Sequence, residues 1–412
     1  MTERKFDIIV WGATGFTGTL VTEYLSENYG VNQEISWAIA GRSPEKCQQI
    51  KQELIKKNSQ AIDLEIIIAD AFSLPRLREM AKQTQVICTT VGPYSDFGEQ
   101  LVQACIDEET QYCDLTGESH FIRAMIDTHQ VAAEEKKIKI VHAAGFDSIP
   151  SDMGVYFTQE KFREKHGVYA TEIKMMTGKM RGKFSGGTIA SMISLLNRVQ
   201  KDKSLRRLLL NPYALNPDPK YQGKDKNDQL TLRFDKELQR WTAPFIMAGI
   251  NTRVVRRSHA LRDFPYGSDF QYSEVMGFPK GLKGFWMASS LTLGLGGFMG
   301  LVANSWMRNK LHQYLLPQPG DGPSREEQQK GYFNIHFRAC HGEKELWTRV
   351  SDSLDPGYAC TAKMLGETAV ALAKDAPILP KQYGVLTPVS ALGQRLIERL
   401  SDAKMKFSVD SE

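Results

Sequence analysis

The sequence predicts an α/β chain with a doubly wound parallel sheet, a second α+β domain, and C-terminal helices that pack back on the first domain. Three observations predict it. With 412 residues the chain exceeds a single core of about 100–200 residues. Its first apolar run passes directly into a glycine-rich turn and then a helical spacing. Before residue 150, short apolar runs and helical spacings alternate repeatedly.

Phe6 to Trp11, FDIIVW, suits a strand buried on both faces. Gly12-Ala13-Thr14-Gly15-Phe16-Thr17-Gly18 follows, and Leu20, Val21, Tyr24 and Leu25 then share one helical face. Strand, glycine turn and helix form the context of a dinucleotide fingerprint, here spaced G-x-x-G-x-x-G. Gly12 permits the tight turn, Gly15 admits a pyrophosphate close to the backbone, and Gly18 lets helix and strand pack closely. Free N–H groups at the helix start attract the phosphate charge. A tight turn without a ligand is the competing reading.

The second strand, Ile35 to Ala40, ends in Gly41-Arg42-Ser43. NAD-selective proteins usually carry an acid there, whereas a guanidinium and a hydroxyl favour a 2′-phosphate. The expected cofactor is NADP, with NADPH preferred over NADH; a solvated strand-end role for Arg42 is the alternative. Cys47, Ile50 and Leu54 space the next helix. The third strand, Leu64 to Ala69, delivers Asp70 and Ala71 to the adenine end. The fourth, Gln85 to Val91, ends in Gly92-Pro93-Tyr94, and Leu101, Val102, Cys105 and Ile106 mark a further helix. Strands at 111–114 and 138–143 end in Leu115-Thr116-Gly117-Glu118 and Ala144-Gly145-Phe146-Asp147-Ser148-Ile149-Pro150. Six such units make a Rossmann domain, with ligand contacts at the carboxyl ends of the strands.

Chemistry should lie at those ends. Tyr94, Asp147 and Ser148 are the candidate catalytic residues, with Tyr94 first as a proton donor; Tyr94 packing on the cofactor is the other reading. Asp114, Thr116, Glu118, His142 and Asp152 stand nearby, His142 reading as a core histidine and Asp147 and Asp152 as helix caps or catalysts. No metal site is expected, because H-E-x-x-H and Cys/His ligand spacings are absent, as are G-x-S-x-G and Walker sequences.

The 52 basic and 48 acidic side chains give a net charge of +4 and are mixed along the chain, which speaks against a nucleic-acid partner. The six cysteines form no framework, and the start carries no apolar signal core. A reducing, cytoplasmic setting is expected, with membrane association open.

The expected domains are 1–165, 166–354 and a returning segment, 355–412. In the second domain, Ser185-Gly186-Gly187-Thr188 reads as a capped helix start. Residues 211–229 read as a surface or disordered insert, and Arg253, Arg256, Arg257 and Arg262 as a strand with one solvated face. An anionic head group is the alternative for these arginines. Residues 285–307 hold no charge; Lys280 and Lys283 precede them, and Arg308 and Lys310 follow. A helix of that length could span a bilayer, but a crossing would split one fold across the membrane. Core, a lipid-sized pocket wall, a homodimer contact or a one-leaflet membrane contact remain open.

On these residues the chain resembles the saccharopine dehydrogenase-like oxidoreductases, whose bacterial relatives include trans-acting enoyl reductases of lipid biosynthesis. The matching segments include GATGFTG (12–18), AGR (40–42), VGPY (91–94), YCDLTGE (112–118), GFDSIPSD (145–152), SGGTIAS (185–191) and DPGYACTAKMLGE (355–367), in order along nearly the whole chain. The resemblance implies pyrophosphate contacts at Thr14, Gly15, Phe16 and Thr17, a 2′-phosphate contact at Arg42 and an adenine contact at Asp70. Val91, Gly92, Pro93 and Tyr94 would lie on the nicotinamide side. The expected activity is hydride transfer to or from a hydrophobic, lipid-like enoyl or carbonyl compound. The alternatives are a catalytically silent dinucleotide-binding scaffold or sensor at a lipid surface, or an amino-acid dehydrogenase. The last lacks the clustered cations that a substrate with several carboxylates needs.

Overall fold

The structure is a computed structural model that describes residues 4–182, 198–199, 202–218, 220–304 and 322–410. The SGGTIAS segment, Arg308 and Lys310 lie outside the described residues. The chain forms two compact units, residues 1–149 with 356–404 and residues 150–355 with 405–412.

The first unit opens with β1 (Phe6–Trp11), α1 (Phe16–Tyr29), β2 (Trp37–Gly41), α2 (Pro44–Lys57), β3 (Glu65–Ile68), α3 (Leu74–Ala81) and β4 (Thr84–Thr89). Then come α4 (Tyr94–Phe97), α5 (Glu99–Asp107), β5 (Gln111–Cys113), α6 (Ser119–Glu135) and β6 (Lys139–Val141). β1 is buried at every position, as a strand covered on both faces must be. It pairs in parallel with β2 and with β4. The chain therefore turns outward in both directions from β1, and that reversal opens the crevice where such sheets bind ligands.

The second unit begins with α7 (Ile149–His166), whose residues from Pro150 onward belong there and not to the first unit. Gly154 explains the allegiance: a Cβ there would stand 2.3 Å from the Phe337 ring, so the bare backbone seats that ring. The unit continues through β7 (Glu172–Thr177), α8 (Lys203–Leu210), β8 (Arg233–Asp235), β9 (Arg240–Pro244), α9 (Ala248–Leu261), β10 (Gln271–Phe278) and α10 (Leu282–Ala303). A short α11 (Arg325–Gln329), β11 (Phe333–His341) and β12 (Lys344–Asp352) complete it.

Arg253, Arg256 and Arg257 lie on α9, a helix buried almost throughout, and half-buried Arg262 is its C-cap, so the arginine run is not a half-solvated strand. Arg253 pairs with Asp228 at 2.9 Å and Arg256 with Asp225 at 3.0 Å. The same helix donates to backbone carbonyls: Arg253 to Leu209 in the last turn of α8, Arg256 to Pro212 and Arg257 to Leu215. These bonds hold the 211–229 stretch against the unit, and Tyr213 to Asn216 are buried, so its described part is no disordered insert. Polar composition alone does not reveal it, because the partners of its carbonyls lie some forty residues downstream.

The chain then returns to the first unit with α12 (Ala359–Lys374), β13 (Gly384–Leu386), α13 (Pro388–Leu392) and α14 (Gln394–Asp402). α12 packs on α1, where Tyr24 and Tyr29 both donate to Glu367 at 2.6 Å. Lys374 pairs with Asp7 at 2.9 Å. The return is not purely helical: β13 extends the first sheet beside β6. The last strand, β14 (Lys406–Val409), leaves for the second sheet and pairs with β12. Among the described residues both sheets have seven strands, β13-β6-β5-β4-β1-β2-β3 and β14-β12-β11-β7-β10-β9-β8.

Candidate active site

The turn after β1 is shaped by what its glycines exclude. Gly12 has φ +91°, and a Cβ there would meet Val91 at 2.7 Å and Thr90 at 2.8 Å. At Gly18 a Cβ would stand 2.1 Å from the Gly12 carbonyl oxygen, far inside van der Waals contact, so the start of α1 can lie on the turn only without a side chain. Gly15 differs. It is exposed, and a Cβ there would approach only the Gly12 oxygen, at 3.4 Å. Gly15 is the N-cap of α1, no side chain among the described residues caps the helix, and its first turn holds no acid. The leading N–H groups and the positive end of the helix dipole are thus offered to an anion. A dinucleotide pyrophosphate fits this turn, with Thr14, Phe16 and Thr17 half-buried around it. Phe16 packs edge-on against Tyr358, ring centroids 4.8 Å apart, which fixes the turn from the returning segment.

Beyond β2, Arg42 is exposed and has no ion-pair partner among the described residues. A cation left unpaired at the strand end is available to a 2′-phosphate. Ser43 is already engaged as the N-cap of α2, where its hydroxyl accepts from Lys46 N–H and donates to the Glu45 carboxylate at 2.9 Å. Asp70 turns its carboxylate onto the Phe72 N–H at 2.8 Å. It is exposed after β3, and Ala71 beside it is half-buried.

At the end of β4, Thr90 donates to the Gly12 carbonyl at 3.1 Å and ties this loop to the glycine turn. Val91 and Pro93 are half-buried and Gly92 is exposed beside the Tyr94 ring. Tyr94 itself does not have the setting of a proton donor. It is 7% exposed, its hydroxyl donates to the Thr89 carbonyl at 3.3 Å, and it accepts from the Leu115 N–H at 3.2 Å. Burial, reinforced by nearby Asp114, pushes the phenol well above its ordinary range. The Tyr94 and Ser95 amides in turn donate to the buried Glu118 carboxylate at 2.9 and 3.0 Å. Tyr94 and Glu118 position the loop.

The ends of β5 and β6 are locked by Asp114. Its buried carboxylate accepts from the Tyr112 hydroxyl at 2.8 Å and the Thr116 N–H at 3.0 Å, and lies 2.7 Å from His142 Nδ1. An ionised carboxylate has no hydrogen to give, so the tautomer of His142 with its hydrogen on Nδ1 is the one that makes this bond. Asp147, just beyond, is different. Its Oδ2 lies 3.6 Å from where a Gly117 Cβ would stand. The residue keeps part of its surface open, yet protein crowds its carboxyl, and that desolvation raises the pKa to about 7. The loop is braced from α12 by a bond from the Phe146 N–H to the Thr361 hydroxyl at 3.1 Å. Ser148 is fully buried at φ 128°, which leaves it no surface for a substrate and removes it from the catalytic candidates. Asp152 is also buried and accepts from Ser258 at 2.6 Å within the second unit. Among the described residues no group of three or more His, Cys, Asp or Glu side chains could hold a metal ion.

Residues 8–141 match the model of the saccharopine dehydrogenase NADP binding domain. A protein of Mycobacterium tuberculosis (strain ATCC 25618 / H37Rv) is 40% identical over 98% of this chain and 97% of its own length. The chain belongs to the saccharopine dehydrogenase-like oxidoreductase family. Trans-acting enoyl reductase of Mycobacterium ulcerans (strain Agy99) is 35% identical, covering 97% of this chain and 96% of that protein. Apo saccharopine dehydrogenase (L-Glu forming) from Saccharomyces cerevisiae has a TM-score of 0.52 at 13% identity, covering 98% of this chain and 100% of that one. That likeness speaks for the fold alone. This member of the family is an NADP-binding oxidoreductase.

The first unit thus gathers the glycine turn, Arg42, Asp70, the 91–94 loop and Asp147 at the carboxyl ends of its strands. Sequence reasoning missed Thr90, Tyr358 and Thr361, which brace these loops. The DPGYACT stretch was a signal for the last two, since it stands out as a matching segment without an obvious ligand of its own.

Proposed function

We propose that the chain reduces an enoyl double bond in a hydrophobic, lipid-like substrate with NADPH. The name of the Mycobacterium ulcerans relative supports the reaction type, and one observation in this molecule carries it. Asp147 lies at the strand ends with part of its surface open, and the protein crowding its carboxyl raises the pKa to about 7 by desolvation. It can hold a proton near neutrality, as a general acid must. When bound, NADPH supplies the hydride.

The chain's own residues do the remainder. Amides at the start of α1 hold the pyrophosphate, and Arg42 pairs with the 2′-phosphate, which sets NADPH above NADH. The 91–94 loop, fixed from beneath by Tyr94 and Glu118, positions the nicotinamide end. Asp147 gives the proton that completes reduction. The amino-acid dehydrogenase reading finds no support in the α9 arginines, whose guanidinium groups are spent on Asp225, Asp228 and backbone carbonyls.

The test is NADPH oxidation across α,β-unsaturated and keto thioesters of short and long acyl chains. Turnover of long unsaturated thioesters is expected. Tight NADPH binding with no oxidation of any member would contradict the proposal and favour a silent binding protein.

A further inference from the structure

α10 breaks the rule that governs surface helices. A helix lying on a globular unit buries one apolar stripe and turns charged or polar residues outward. Here the inward side packs on β9 and β10, with Phe285 edge-on to Trp241 at 5.1 Å and Ala288 fully buried. The outward side is apolar as well. Trp286 is 65% exposed and Leu293 75%, and Met287, Met299 and Leu301 are exposed beside them. Over Leu282–Val302 the mean hydropathy is 1.4 and 11% of the most apolar window is buried. Two exposed cations, Lys280 and Lys283, stand at the start of this helix. Neither of them has a carboxylate partner among the described residues.

From these observations, independently of the enoyl-reductase reading, we infer that α10 inserts into one leaflet of an anionic bilayer. Its outer apolar face would lie among acyl chains, and the cations at its root would meet acidic head groups. The 22 residues of α10 would reach about 33 Å at ~1.5 Å per residue, enough to cross a hydrocarbon core. Topology selects the shallower arrangement. β10, before the helix, and β11, after it, both pair with β7 in one sheet. A crossing would oblige the connecting chain to cross back, and its sequence contains Arg308, Lys310 and Asp321. A one-leaflet helix with an aromatic residue and cations at its end needs no return. The lysines at its start complement an anionic lipid surface, whereas the same helix of a second copy carries no acidic residue to meet them.

The experiment is co-sedimentation of the full chain with vesicles of phosphatidylcholine alone and of phosphatidylcholine with phosphatidylglycerol. Binding is expected to both, and to be stronger with phosphatidylglycerol. Leu293→Asp, at an exposed position, should lower partitioning by ~50-fold or more with NADPH affinity unchanged. Lys280→Glu with Lys283→Glu should remove the preference for phosphatidylglycerol. Trp286 emission, isolated by difference from Trp286→Phe, should shift to the blue with vesicles. A chain that stays in the supernatant with both vesicle types overturns the inference. So does a dimer, seen by analytical ultracentrifugation, that Leu293→Asp splits while vesicle binding is absent.

Discussion

Two glycine-rich stretches sit on helices of this chain, and they obey opposite constraints. At the start of α1, a Cβ at Gly18 would stand 2.1 Å from a backbone oxygen, and one at Gly12 2.7 Å from Val91. On α10, a Cβ at Gly294, Gly296, Gly297 or Gly300 would meet nothing within 4 Å. The first set is imposed by packing around a turn that must stay bare; the second faces open space and answers to no neighbour in its own unit. A glycine count therefore says little until the room around each residue is known.

Substitutions test that contrast. Gly18→Ala should have the largest effect: the added methyl must displace the turn, costing about 3 kcal/mol or more and abolishing NADPH binding. Urea unfolding and calorimetry check this, and near-normal values for both would show that the turn can open. Asp147→Asn should lower kcat by ~100-fold with NADPH affinity unchanged; an unaltered kcat would remove Asp147 as the acid.

The same residue has a pH signature. A raised carboxyl pKa means the folded state resists ionisation, so its stability penalty appears as pH rises from about 4 through about 7. Wild-type kcat should fall above pH about 7. At about pH 8, Asp147→Asn should be the more stable protein, by on the order of 1–3 kcal/mol, and the gap should close near pH 4. Urea midpoints at the two pH values read the difference.

Arg42→Ala should weaken NADPH by ~10–100-fold and NADH by less than ~3-fold. Equal losses would mean that Arg42 does not read the 2′-phosphate. The smallest effect should come from Gly297→Ala, which adds a helix-favouring methyl in open space and should stabilise by ~0.5–1 kcal/mol. Thermal unfolding with and without NADPH would show it, and destabilisation would mean that the position is packed.

The first sheet was legible because local and global signals agree there. Each of β1 to β6 ends within two residues of where its apolar run ends, and the glycine turn announces its own geometry. The site was readable as far as backbone chemistry specifies it: Gly12, Gly15 and Gly18 by their spacing, and Arg42 by its position after β2. Side-chain roles were less readable. Tyr94 stands first in sequence, with Ser148 and Asp147 beside it, and only the bonds from Tyr94 to Thr89 and Leu115 and the burial of Ser148 separate the two from Asp147. In the second unit the pattern misleads for a physical reason. Charged residues usually mark solvent, but Arg253, Arg256 and Arg257 lie in a buried helix because distant carbonyls and acids satisfy them. β13 and β14 escape notice because short strands draw their identity from partners far along the chain.

The central claim is that the amides at the start of α1 and the cation after β2 together hold NADPH. Isothermal titration of the purified, folded chain with NADPH and then NADH tests it most directly. Saturable binding of NADPH, with NADH at least ~10-fold weaker, is the predicted result. No heat with either nucleotide, or tighter binding of NADH, would contradict it.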